Sequence, residues 1–401
     1  MNAASASEVT YRARYVLPLT SAPVENGVVR IADGKILSIG PYRDESDVED
    51  LGDVAIIPAL VNAYTNLELS SLTEPLKSSQ GFTSWLGELL EHREKRQPDV
   101  DTVAAINNGL TESHSHGVGV AGAIDSGADW SEINTSLTGV RFFELMGLGK
   151  ESIEQAKRQA STFLGSPYSS IKWHRGLSLN SAYTTHRDLI QWAAKRSYRD
   201  GAPLAMHLAE TPDELRFLQD QDGPIREFLE SQSLWNEQAF GSRLRPLDYL
   251  DLLASARRVS VIHGNYLTPD ELSFMGIHGA WMTLVYCPRT HDYFGHADYP
   301  LEKALELGVQ VALGTGSRAS NPDLSIWREI KFVAERYPSI SPQTILEMGT
   351  LRASHALGFP SGMSIGNQAR LVAIGLSSAA KYDCPYEWIV SGDSEPRMIT
   401  L

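Results

Sequence analysis

The chain has 401 residues, 42% hydrophobic and 21% charged, the composition of an ordinary folded protein with room for one large domain and one small one. A net charge of −14 leaves no basic stripe to neutralise phosphates, which argues against nucleic acid or an anionic membrane as partner. With only Cys287 and Cys384, no apolar leader core in MNAASASEVTYRARYV, and no run near the about 18 apolar residues of a membrane span, a disulfide framework and a membrane protein are excluded and a cytoplasmic setting is expected.

Residues 8–57 alternate apolar and polar positions in VTYRARYVLPL, NGVVRIADGKILSIG and the run into VAIIP. This predicts short strands broken by turns at Asn26-Gly27 and Asp33-Gly34. Short apolar runs then alternate with amphipathic stretches: GVGVAGAID, HRGLSLN, PLAMHLAE, RVSVIHG, AWMTLVYCP and VQVALGTG. Such runs predict buried parallel strands in repeated βα units. Helix starts are marked by Thr211-Pro212-Asp213-Glu214 and Thr268-Pro269-Asp270-Glu271, each a threonine cap, a proline in the first turn and a glutamate three residues after the cap. Ser341-Pro342 opens a third. ARLVAIGL (369–376) and YEWIVSG (386–392) read as strands again. The predicted fold is α/β: a (β/α)8 TIM barrel over residues 58–360, with a small β-sandwich domain built from both chain ends, 1–57 and 361–401.

Polar residues interrupt the apolar runs at four strand ends: IIPALVNAYTNLELS (56–70), HLAET (207–211), VIHGN (261–265) and VALGTGSRASNPD (311–323). In a barrel of this kind, the strand ends and the loops after them carry the active site. On these segments the sequence resembles the amidohydrolase superfamily, in particular the deaminases and chlorohydrolase-like hydrolases that act on cyclic amidines and aminopurines. Residues 72–96 and VYCPRTHDYFGH (285–296) are similar to the aminodeoxyfutalosine-deaminase-like group. The resemblance implies a divalent metal, zinc or another, held by a His-x-His pair on the first strand, a histidine on later strands and an aspartate on the last. Residues i and i+2 of a strand share a face, so two imidazoles grip one ion. The ion turns water into a nucleophile, and the resemblance gives the glutamate of HLAE the task of protonating a ring nitrogen.

This chain departs from that pattern at its ligands. Tyr64 and Asn66 stand at the His-x-His positions, Gly316 at the aspartate, and Asn180 at a histidine that contacts substrate; His207, Glu210 and His263 are kept. A neutral phenol binds a divalent ion poorly, an amide oxygen suits harder ions than zinc, and glycine offers nothing. Loss of the aspartate alone removes general-base help worth about 10²–10⁴-fold. The expectation is therefore a family member without full metal occupancy, catalytically impaired, retaining a pocket for a purine- or nucleoside-like small molecule. Catalysis of any remaining kind would rest on Glu210 and His263, and any residual metal on His207 and His263. Tyr64, Asn66, Asn180, Arg289 and His291 are expected to contact the ligand. Two alternatives stay open: an active hydrolase with an atypical metal-poor site of Glu210, His207 and His263, and a structural partner in an oligomer, with a homodimer expected. Cys287 and His291 in YCPRTH suggest a thiol–imidazole pair but read better as inert; His114 and His116 read as a surface helix end. Trp85, Leu86, Leu89 and Leu90 fall at helical spacing and are expected to cover the barrel mouth or a neighbouring subunit.

Overall fold

The structure, a computed structural model, describes residues 8–77, 81–95, 100–166, 173–241, 243–360, 362–376 and 384–399. Residues 1–7 of the chain start, and residue 361 at the expected domain boundary, lie outside them.

The N-terminal strands are β1 (Glu8–Val16), β2 (Val24–Ala32), β3 (Lys35–Pro41), β4 (Val48–Asp50) and β5 (Val54–Pro58). Asp33 and Gly34, at φ 51° and 71°, form the two-residue turn between β2 and β3, as expected of a hairpin whose turn needs positive φ. Asn26-Gly27 is different. It lies inside β2, with Gly27 paired to both Ala13 and Pro41, and Asn26 bends the strand at φ 46° while its Oδ1 accepts from Arg12 Nε at 2.9 Å. The expected turn is thus a kink, because pairing on both sides holds the segment extended.

Eight parallel strands follow: β6 (Leu60–Thr65), β7 (Val118–Asp125), β8 (Thr138–Leu145), β9 (Trp173–Leu179), β10 (Leu204–Leu208), β11 (Val259–His263), β12 (Met282–Tyr286) and β13 (Gln310–Leu313), hydrogen-bonded in chain order. They make the expected barrel. β8 was not among the runs singled out by sequence, because Arg141 and Glu144 interrupt TGVRFFEL. Closure is made beyond the end of β13: Thr315 N donates to Tyr64 O (3.0 Å), Asn66 N donates to Gly316 O (2.8 Å), and Asn62, fully buried, exchanges two bonds with Thr315. Inside, Val61, Val120, Val140, Phe142 and Ile262 pack in one buried cluster with Ala353 and Leu357 of the helix Leu351–Leu357, which places that helix across one end of the barrel.

β14 (Leu371–Gly375) runs antiparallel to β5, and β15 (Arg397–Met398) follows it. The small domain is therefore a single mixed sheet of seven strands drawn from both chain ends. Residues 386–392 correct the strand reading: Pro385–Ser391 is a helix that buries Tyr386, Ile389 and Val390. These fall at i, i+3 and i+4, a helical stripe, and Pro385 in the first turn sets φ for a helix start. No helix among the described residues is long and apolar enough to cross a membrane.

Candidate functional site

Strand ends β6, β8, β9, β10 and β11 converge on one cavity of about 1030 Å³, its open mouth included. Its floor carries Tyr64, Asn66, Glu144, Asn180, His207, Glu210 and His263, and its wall carries Phe82, Trp85, Leu89, Phe228, Leu234 and Phe294. Trp85, Leu86, Leu89 and Leu90 of the helix Phe82–Glu94 thus line the mouth of the barrel.

His207 is gripped at both ring nitrogens. Its Nδ1 lies 2.5 Å from Asn180 O, and its Nε2 lies 2.6 Å from Tyr64 Oη. A carbonyl oxygen only accepts, so Nδ1 carries the proton, Nε2 holds the lone pair, and the Tyr64 hydroxyl donates to it. Burial pushes the Tyr64 phenol well above its usual range and holds His207 below that of a free imidazole, so both partners are neutral. The Tyr64 ring meets His207 and His263 edge-on, with centroids at 5.1 and 5.9 Å.

Glu210 faces the second histidine, with Oε1 at 3.2 Å from His263 Nε2. Burial, with Glu214 nearby, pushes the Glu210 carboxyl up to about 8, and burial drives His263 well below the free imidazole value. The contact at neutral pH is therefore one between a carboxylic acid and a neutral imidazole, not an ion pair. Backbone geometry sets this pair up: Ala209 and His263 both take positive φ, at 54° and 68°. Such non-glycine strain persists only where surroundings over-determine it. Here Glu214 accepts from the amides of Ala209 (3.1 Å) and Glu210 (2.8 Å), Asn265 Nδ2 donates to Glu210 O, and Tyr299 Oη donates to His263 O. Glu214 thus departs from the expected capping box. Thr211 still accepts from Glu214 N, but the Glu214 carboxylate turns to the strand end, whereas Glu271 does return to Thr268 N.

Asn180 also donates through Nδ2 to Glu144 Oε1 and accepts through Oδ1 from Thr184 Oγ1, both at 2.8 Å. Gly316 has φ 65°, and a Cβ placed there would lie 2.9 Å from Thr290 Oγ1. Among the described residues no three or more His, Cys, Asp and Glu side chains are grouped to hold a metal ion.

Two residues expected to contact the ligand are not among those that line the cavity. Arg289 stands behind the cavity wall, where it pairs with Asp323 (2.7 Å) and Glu329 (2.8 Å), and His291 is bonded to Ala297 O at 2.7 Å. The residue between them, Thr290, lines the cavity instead. Pro288–Tyr293 is helical, so successive side chains point in different directions, which a strand-end reading of YCPRTH does not allow for. Cys287 is buried and its thiol is pushed well above the usual range by burial, unlike a reactive thiol. His116 closes the helix Val100–Ser115 through Glu112 O. Glu144 and Arg93 escaped the sequence reading, and Glu214 was read there only as a helix-cap residue. Arg93 had a visible signal, since Trp85, Leu89 and Arg93 recur every four residues.

The sequence profile of the Amidohydrolase family matches residues 55–394. The chain belongs to that family. Among curated amidohydrolase-type relatives, it is 28% identical over 357 residues to a 5-methylthioadenosine/S-adenosylhomocysteine deaminase of Pyrococcus furiosus, covering 84% of this chain and 78% of the relative. It is 26% identical over 329 residues to an aminodeoxyfutalosine deaminase of Deinococcus radiodurans, covering 77% and 75%. Of solved structures, the Helicobacter pylori aminofutalosine deaminase superposes with a TM-score of 0.80 at 20% identity, over 96% of this chain and 95% of that one. A Xanthomonas campestris adenosine deaminase with bound zinc gives 0.77 at 18% identity, over 96% and 89%. These two confirm the amidohydrolase fold.

The two raised carboxyls make stability depend on pH. Glu210 keeps its proton in the folded protein up to about pH 8 and Glu214 to about 7, whereas ordinary glutamates release theirs near 4.5. The unfolded state therefore binds fewer protons across that interval, and the folded state loses relative stability as pH rises from about 4.5 to 8. His207 and His263 act oppositely, lowering stability below the free imidazole value of 6.5. Glu210→Gln is expected to flatten the decline between about pH 4.5 and 8 in urea-denaturation midpoints; an unchanged slope would show that Glu210 is ionised in the folded protein.

Proposed function

We propose that this amidohydrolase-family chain binds a nucleoside-like small molecule with an amidine or aminopurine head in the barrel-mouth cavity, and that the family's metal-dependent hydrolysis is lost. The observation that supports this reading most is the occupation of the His207 lone pair by the hydroxyl of Tyr64. Tyr64 donates to His207 Nε2, and Glu210 Oε1 stands 3.2 Å from His263 Nε2, so the ring nitrogens that would meet a zinc ion already face this chain's own side chains. Asn66 and Gly316 add a neutral amide and no side chain. The set does not fit zinc, for which thiolate, imidazole or carboxylate donors at about 2.0–2.3 Å are needed. What remains suits binding: a protonated carboxyl able to donate to a ring nitrogen, beneath the aromatic rings of Phe82, Trp85 and Phe294.

A second reading, an active hydrolase using Glu210, His207 and His263 without a full metal site, draws on the same proton. An acid held up to about 8 is a competent general acid at neutral pH. The two are separated by measuring metal per chain by mass spectrometry, turnover of adenosine-type nucleosides, and thermal shift with the same compounds. The names of the relatives make 5-methylthioadenosine and S-adenosylhomocysteine the first to try. The binder reading expects metal far below one per chain, no deamination, no effect of chelator, and a melting temperature raised by nucleoside; a ligand at 100 times its Kd adds about 2.7 kcal/mol. Stoichiometric metal with deamination that chelators abolish would sink it, while metal-independent turnover lost in Glu210→Gln would favour the second reading.

A further inference from the structure

A second cavity lies at the end of the barrel opposite the strand-end site. Arg175 stands near the start of β9, Pro203 just before β10, and Arg257 and Arg258 just before β11. With His174, Asp200 and the chain at Gly358 they line a space of about 900 Å³, its open mouth included. Four or five residues of strand lead from Pro203, Arg175 and Arg258 to His207, Asn180 and His263, which is about 13–17 Å. The two cavities are therefore separate.

Cations outweigh anions here. Asp200 is the one carboxylate among the described lining residues, and it is already held by Arg196 and by Arg199, the latter at 2.9 Å. Arg258 is half-buried and donates through Nη1 to His355 O, in the last turn of the helix Leu351–Leu357. Its guanidinium lies over Gly358, where a Cβ would come within 3.2 Å of Nε. Burial, and then the field of Arg257, disfavour the charge on Arg258, so the two guanidiniums stand close enough to repel. The amide of Arg257 donates to Ser197 Oγ at 3.3 Å, but its guanidinium bonds to no described residue. Arg175 donates to Leu164 O and Ser166 O, at the end of the helix Lys150–Gly165.

Closing helix ends accounts for Arg175 and for one N–H of Arg258. It does not account for Arg257, for the four remaining N–H groups of Arg258, or for the open space between them. In a chain of net charge −14, a cluster of like charges around one doubly paired carboxylate is balanced by an anion from outside. We propose that this cavity binds a phosphate group, free or as the ester of a small metabolite, between Arg257 and Arg258. Phosphate suits two guanidiniums better than a carboxylate does, because it presents oxygens in more directions and carries up to two charges. The cavity is larger than one phosphate ion and leaves room for the body of an ester.

Calorimetric titration of the full chain at low ionic strength, with inorganic phosphate and with ribose 5-phosphate, tests this. One ligand per chain is expected, with a Kd of about 1 mM or tighter that weakens as salt is added. Tighter binding of the ester identifies a phosphorylated metabolite as the occupant, and equal binding identifies free phosphate. Arg257→Ala is expected to weaken binding at least about tenfold, and Arg257→Glu to abolish it. Arg257 is exposed, so both variants are expected to keep the wild-type urea midpoint. Arg226→Ala, on the helix Pro224–Ser231 and outside this cavity, leaves the affinity unchanged. No saturable binding by the wild-type protein, or equal binding by Arg257→Ala and wild type, overturns the assignment. Uptake of several ions per chain, weakened as much by Arg226→Ala as by Arg257→Ala, marks an adventitious ion only and overturns it equally.

Discussion

The combined substitution Tyr64→His, Asn66→His and Gly316→Asp is expected to raise zinc content from far below one to about one ion per chain. Tyr64→His removes the hydroxyl that occupies the His207 lone pair, and with Asn66→His it places two imidazoles on one face of β6's end. Gly316→Asp meets local resistance. Position 316 sits at φ 65°, and its new Cβ would lie 2.9 Å from Thr290 Oγ1. Aspartate tolerates that backbone better than most residues, and the opposing atom is a hydroxyl that can rotate away from its 3.2 Å contact with Ser320 Oγ. Zinc present at about 1,000 times its Kd would then stabilise the variant by about 4.1 kcal/mol, read as a zinc-dependent rise in melting temperature that the wild-type protein does not show. A triple variant that stays metal-free even after Thr290→Ala is added would mean that the surrounding cavity, and not merely its donors, has been rebuilt.

Arg289→Met is expected to destabilise the fold by about 3–5 kcal/mol, the usual cost of removing one partner from a buried ion pair. Arg289 links Asp323 and Glu329, whose side chain is fully buried, and its own amide donates to Glu329 Oε2 at 3.0 Å. Asn321 joins the network by donating to Glu329 Oε1 and to Thr315 O, so the same charges fasten the loop that closes the barrel and carries Gly316. Urea denaturation checks the magnitude. The double variant Arg289→Met with Glu329→Met is expected to recover most of the loss, because the buried Glu329 charge goes with its partner and Asp323 keeps Arg328 at 2.8 Å; no recovery would assign the cost to lost packing instead.

Fold and family were legible because each rests on local pattern. Apolar runs of strand length, the Thr-Pro-Asp-Glu helix starts and the hairpin at Asp33-Gly34 act over a few residues, and each recurs where it was expected. Misreadings came where a local signal had to compete. Asn26-Gly27 is a turn dipeptide kept inside a strand, as a kink, by pairing to both neighbours, and the apolar 386–392 run is a helix because its buried positions follow a 3.6 period that seven residues barely display. At the site, the sequence named Tyr64, Asn66, Asn180, His207, Glu210 and His263, and all six line one cavity. Arg289 and His291 do not, because one turn of helix at Pro288–Tyr293 sends Thr290 inward and its neighbours behind the wall.

By itself, then, the sequence determined the barrel, the small domain drawn from both chain ends, and which side chains stand at the strand ends, since period and cap chemistry are properties of neighbours in the chain. Only the tertiary structure decided what those side chains do to one another. The bond from Tyr64 to His207 spans 143 positions and the one from Asn62 to Thr315 spans 253, and no local pattern encodes either. The state of the Glu210 proton is set by burial among groups brought together from separate strands. The orientation of Arg93 toward the cavity likewise depends on how one helix is laid across the barrel mouth.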